Sequence, residues 1–155
     1  MKRRTVGVVT LVTLVLFWGG AAAQRMPDFS GRWIAVSPGY TGHEIRIAQT
    51  RSTLKVTSVR DKRTVTYNLD GTPRREPADP AEERWTTASW KNGTLVLTDT
   101  RLTRISEIRM VEALSFDSTG RLILGVTRTQ LDANRDPSVP LPAPQSKTVL
   151  VLKKR

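Results

Sequence analysis

The chain contains no cysteine. That rules out disulfides, thiolate metal sites and lipid attachment at a cysteine, so any fold must stand on its apolar core alone. Histidine is almost as scarce: His43 is the only one. A single histidine without cysteine cannot build a zinc site, which takes three or four N, S or O ligands. His43 sits in a Gly-rich turn beside Glu44 and reads as a solvated surface residue. No G-x-S-x-G elbow, H-E-x-x-H pair or P-loop occurs. Asp132-Ala133-Asn134-Arg135-Asp136 begins like a calcium loop but lacks the glycine and the distal glutamate, and reads as a polar turn. No catalytic residue, metal or cofactor is expected.

Acidic residues are in short supply: 14 Asp and Glu stand against 25 Lys and Arg, a formal charge of +11. A basic chain raises the question of phosphate backbones. Through the mature chain the cations are scattered (Arg46, Arg51, Lys55, Arg60, Arg63, Arg84, Arg101, Arg104, Arg121, Arg128), and the largest groups are pairs or trios such as Lys62-Arg63 and Lys153-Lys154-Arg155. The pattern predicts a solvated positive exterior and no nucleic-acid partner. An anionic envelope polymer or lipid headgroup is the alternative partner for that charge.

Long hydrophobic runs are also absent, with one exception. Lys2, Arg3 and Arg4 precede thirteen uncharged, largely apolar residues, Val6 to Trp18, then Gly19-Gly20 and Ala21-Ala22-Ala23. This three-part form predicts a secretory signal over residues 1–23, cleaved before Gln24. Thirteen residues fall short of the roughly 20 a spanning helix needs, so no integral membrane span is expected after cleavage. The expected location is periplasmic or extracellular. Residues 24–155 then form one domain of 132 residues, long enough to bury a real core.

That remainder lacks any helical period over ten residues; what it has is alternation. Ile45 and Ile47, Leu54 and Val56, Val65, Tyr67 and Leu69, Leu95 and Leu97, and Leu122, Leu124 and Val126 each recur every second residue, with mostly polar residues between them and Val96 and Ile123 on the opposite face. Asp70-Gly71, Asn92-Gly93 and Asp117-Ser118-Thr119-Gly120 mark hairpin turns. Nine strands are expected at about 30–36, 44–49, 53–59, 63–69, 84–90, 94–99, 105–116, 121–130 and 147–153. Two Pro-bearing loops, 72–83 and 131–146, complete the reading. The fold class is all-β: a single antiparallel meander of eight to nine strands closing into a barrel, with an open β-sandwich as the alternative.

Asp28-Phe29-Ser30-Gly31-Arg32-Trp33 resembles the D-F-S-G-x-W opening of a set of small exported bacterial proteins. Tyr67-Asn68-Leu69-Asp70-Gly71, Trp90 to Leu95 and Glu112 to Leu122 are similar to further short motifs of that set. Those proteins resemble lipocalins, whose first strand opens with G-x-W, matched here by Gly31 and Trp33. The resemblance implies a barrel of eight to ten strands with an internal apolar cavity. It also implies that Trp33 closes one end beneath a late basic side chain: Lys153, Lys154 or Arg155. The C-terminal helix usual in lipocalins has no counterpart in the sequence. On burial energetics alone, Phe29 and Trp33 read as core aromatics.

One acid stands out. In the strand 105–116, Ile108, Met110, Leu114 and Phe116 share a parity, and Glu112 falls on it. A regular strand would point Glu112 inward, where a carboxylate needs a partner or takes up a proton. A bulge near Val111 would swing it to solvent. Trp85, Trp90 and Glu112 are the candidate ligand-lining residues, for a small apolar or amphipathic molecule in an exported, non-enzymatic lipocalin-like barrel. A structural, partner-binding envelope module with a packed interior and basic exterior is the alternative. A weaker third reading is an enzyme pairing Glu112 with acids of residues 76–83. Ligand identity and oligomeric state are not written in the sequence.

Overall fold

Alternation becomes strand wherever it was found. The computed structural model describes residues 26–132, 134, 138 and 142–155. The expected signal (1–23) lies outside these residues, as do Ala133, Arg135 and Asp136 of the polar turn. The strands are β1 (Gly31–Ala35), β2 (Glu44–Gln49), β3 (Thr53–Ser58), β4 (Arg63–Asn68), β5 (Arg74–Arg75), β6 (Glu83–Lys91), β7 (Thr94–Leu102), β8 (Ser106–Phe116), β9 (Leu122–Asp132) and β10 (Ser146–Lys154). No helix occurs among the described residues.

All ten strands belong to one antiparallel sheet, ordered β4-β3-β2-β1-β10-β9-β8-β7-β6-β5, rolled into a nearly closed barrel rather than split into a sandwich. First and last strands pair, Trp33 opposite Lys154 and Ala35 opposite Leu152. The seam therefore falls not at the termini but between β4 and β6. These two strands start from the same end of the barrel and so run parallel. β5 is the element that the 72–83 loop reading omitted. It is only two residues long, between Pro73 and Pro77, because proline cannot donate to a ladder. The Thr86 hydroxyl instead closes the seam by donating to the Thr66 carbonyl at 2.7 Å.

Strand direction gives the barrel two unlike ends. One carries the short hairpin turns at Asp70-Gly71, Asn92-Gly93 and Asp117 to Gly120, and it is plugged. Phe29 stacks on Phe116 at 5.0 Å and on Trp90 at 6.0 Å, and Trp33 meets Phe116 at 5.8 Å. The Trp33 indole N–H donates to the Phe29 carbonyl at 2.9 Å, so the polar handle of the ring is satisfied in the core. Gln49 holds the segment before β1 in place: its side-chain carbonyl accepts from the Phe29 amide, and its amide group donates to the Pro27 carbonyl. Lys154 Nζ lies 5.7 Å from the Trp33 ring centre. Its path crosses Gly31, where a Cβ would come within 2.9 Å of Lys154 Cε and where φ is +147°. The glycine of G-x-W thus clears the way for the cation over the tryptophan. Arg155 turns elsewhere, toward Glu44 at 3.8 Å, where Arg32 and Arg46 also bind and hold the Glu44 carboxyl down at about 2.

Above the plug, Leu54, Tyr67, Ala88, Leu95, Leu97, Leu114, Leu122 and Leu152 fill the interior.

Candidate functional site

The opposite end is where polarity enters the barrel. β3 ends and β4 begins there, β6 begins, β7 ends, β9 ends and β10 begins. On β7 the inner face continues Leu95, Leu97, Asp99, Arg101; on β6 it runs Arg84, Thr86, Ala88. The same period that builds the core below therefore drives charged residues into the interior above.

Asp99 anchors them. It is 5% exposed, and Arg84 is 8% exposed. Arg84 donates Nε to Asp99 Oδ1 at 2.9 Å and Nη2 to Oδ2 at 3.0 Å, a bidentate pair. Arg63, reaching across the seam from β4, donates its Nη2 to the same Oδ2. Burial pulls the Arg84 guanidinium down, but the Asp99 hydrogen bonds and charge outweigh it and the net shift is upward. This cluster ties β4 to β6 and β7 at the open end, as Thr86 ties them below.

Glu112 faces inward. The β7–β8 register runs without a break from Leu95 opposite Leu114 to Leu102 opposite Glu107, so no bulge interrupts it near Val111. Glu112 stands opposite the fully buried Leu97 and opposite Val126 on β9. It makes no hydrogen bond or ion pair with any described residue. Burial, and next the nearby Asp99 charge, push its carboxyl above the usual range, with Arg63 pulling partly back. It lines a cavity of about 130 Å3 with Val56, Val65, Tyr67 and Met110, walled by Arg63 and Asp99. Burial raises the Tyr67 phenol as well, with Glu112 and Asp99 adding to it.

The three candidate lining residues do not converge. Only Glu112 reaches this cavity. Trp85 has the outward parity of β6, is 39% exposed, and lies under Arg75 at 5.8 Å. Trp90 faces inward but belongs to the plug at the other end, its indole N–H buried without a partner among the described residues. Arg63, Arg84, Asp99 and Arg101 were not among the candidates. Their signal was present as parity: extending the alternation of Leu95 and Leu97 by four residues reaches Asp99 and Arg101. The expected strand stopped at 99 because polar residues break an apolar pattern.

Two carboxyls, Asp99 and Glu112, do share the cavity. On paired strands they are diagonal neighbours, about 7–8 Å apart at the backbone. Such a pair with unequal surroundings can divide acid and base roles. Both oxygens of Asp99, however, are occupied by arginine donors, which leaves it a counter-ion rather than a base. The acids of residues 76–83 sit apart from Glu112. Glu76 accepts from Arg74 Nε at 2.8 Å, and Asp79 and Glu82 border a separate cleft. Among the described residues, no group of three His, Asp or Glu side chains is arranged to hold a metal.

No protein-family model matches this chain, and no curated protein matches it either.

Proposed function

We propose that this chain is an exported, non-enzymatic, lipocalin-like barrel that holds a small ligand at its open end. The observation that carries the reading is Glu112, whose carboxyl lies on the wall of a cavity and makes no hydrogen bond or ion pair with any described residue. Burying such a group costs free energy, and a purely structural core has no use for it. The polarity gradient supports the same reading: aromatic plug below, aliphatic middle, charged mouth above. A cavity of about 130 Å3 is below the roughly 300 Å3 of a pocket that encloses a drug-sized molecule. The ligand therefore offers a small group to the cavity, and the rest of it lies in the mouth rather than deep in the barrel. The packed lower interior favours the second reading, a partner-binding envelope module, for the plugged half only.

Native mass spectrometry of the protein purified from its own envelope tests this. A co-purifying small molecule released by Glu112→Leu supports the binding reading. A bare mass in every preparation, with no thermal shift from any small molecule in a broad panel, transfers the weight to the packed module.

A further inference from the structure

The mouth of the barrel holds more guanidinium donors than its carboxylates take up. Arg63, Arg84 and Arg101 line one open cleft of about 380 Å3, with Pro77, Ala78, Asp79 and Glu82 opposite. Arg84 gives its Nε and Nη2 to Asp99. Arg63 gives only its Nη2 to Asp99, and its Nε–H is buried with no partner among the described residues. Arg101 makes no hydrogen bond or ion pair with any described residue. Orphaned buried donors are rare in folded proteins and call for an explanation. Burial, then the charges of Arg63 and Arg84, disfavour the Arg101 cation, and Asp99 and Glu82 do not make up the deficit. Arg63 on β4 and Arg101 on β7, with β6 between them, thus share one cleft and hold donors that no described residue accepts.

We propose that this cleft is an oxyanion site, binding the carboxylate or phosphate of a small ligand through Arg101 and the exposed guanidinium donors that Arg63 does not give to Asp99. The inference deepens the binding reading and rests on it. Guanidinium forks suit these planar or tetrahedral oxygens better than a point charge would. Asp79 and Glu82 on the loop side, together with Asp99, match the three arginine charges. The cleft therefore selects by donor placement, and it favours a ligand with one anionic group over a polyanion. Arg63 is a wall of both this cleft and the Glu112 cavity, so an anion held here places its adjoining carbons beside a cavity whose apolar lining includes Val56, Val65 and Met110.

The test titrates the full chain with octanoate, with inorganic phosphate and with phosphatidylglycerol vesicles. Isothermal calorimetry reads the first two and co-sedimentation the third. Binding of at least one probe is expected, weakened roughly ten- to a hundredfold by Arg101→Gln, the usual effect of losing a charged hydrogen bond. Lys55→Gln removes the same charge from the exposed outer wall and should leave binding unchanged. Octanoate binding points to a free amphipathic acid, phosphate binding to a free phosphate, and vesicle binding alone to a lipid headgroup. Thermal melts confirm that Arg101→Gln is folded. Equal loss in Arg101→Gln and Lys55→Gln would show diffuse charge and overturn the site, as would no binding of any probe. A neutral molecule found by native mass spectrometry beside that negative result would sink the oxyanion inference and leave the binding barrel standing. A bare mass beside it would sink both.

Discussion

Replacing Asp99 by asparagine tests whether the charged cluster is what holds the open end of the barrel together. The amide keeps the shape of the side chain but withdraws the one charge that faces both Arg63 and Arg84. Arg63 has a way out: its side chain is 32% exposed and can turn toward solvent. Arg84 has none, at 10% side-chain exposure, and it would be left as a buried cation with weakened hydrogen bonds. Breaking a buried pair from one side typically costs about 3–5 kcal/mol, most of it the cost of the stranded charge. For a domain of this length that corresponds to a fall of roughly 10–20 °C in Tm. Urea unfolding followed by circular dichroism measures the change directly. The reasoning also predicts recovery: in Asp99→Leu/Arg84→Leu no charge is stranded at that pair. The double variant should regain at least half of what Asp99→Leu loses. A loss below about 1 kcal/mol for Asp99→Asn, or additive losses in the double variant, would refute the account.

Glu112→Gln should change how stability depends on pH. The folded state holds the Glu112 proton above the pH at which the unfolded chain releases it. The folded form thus binds more protons in that window, and the carboxyl's contribution to stability falls by about 1.4 kcal/mol per pH unit as pH rises. The groups facing it (Asp61, Arg63, Tyr67 and Asp99) are common to both proteins. The gap between variant and wild type should therefore open above pH 4.5 in the variant's favour, and parallel unfolding profiles from pH 4 to 8 would contradict it. Gly31→Ala should cost about 1–3 kcal/mol, because φ of +147° suits glycine almost alone. It should also shift the tryptophan fluorescence by displacing Lys154 from Trp33. Lys154→Met, which loses the cation but keeps the stem, should cost only about 0.5–1 kcal/mol in thermal melts. Trp33→Ala should cost about 3–5 kcal/mol by chemical denaturation, since it empties the centre of the plug.

The strands were legible because each buries one face, and a one-face strand writes itself as alternation. Apart from β5, the expected boundaries fall within a few residues of those observed. β5 lacked any apolar residue, and two arginines between prolines carry no period. The N-terminal aromatics were legible as core for the same reason. Which cation covers Trp33 was not, because Lys153, Lys154 and Arg155 differ only in register; pairing Trp33 opposite Lys154 settles it. The inward parity of Glu112 was visible, but an undetected bulge would have reversed it. Trp85 and Trp90 looked alike as aromatics near a hairpin, yet odd and even positions of β6 put them on opposite walls.

The order of greasy and wettable side chains was enough to determine a sheet, its hairpins and the apolar part of its inner face. That is local information, fixed by the two-residue repeat of the strand. Closure was decided elsewhere. Where the seam lies, which end is plugged, and that Arg63, Arg84, Asp99, Arg101 and Glu112 gather at the other end all depend on strands far apart in the chain being brought side by side. A period carries the face on which a side chain lies, but not the neighbour it meets there.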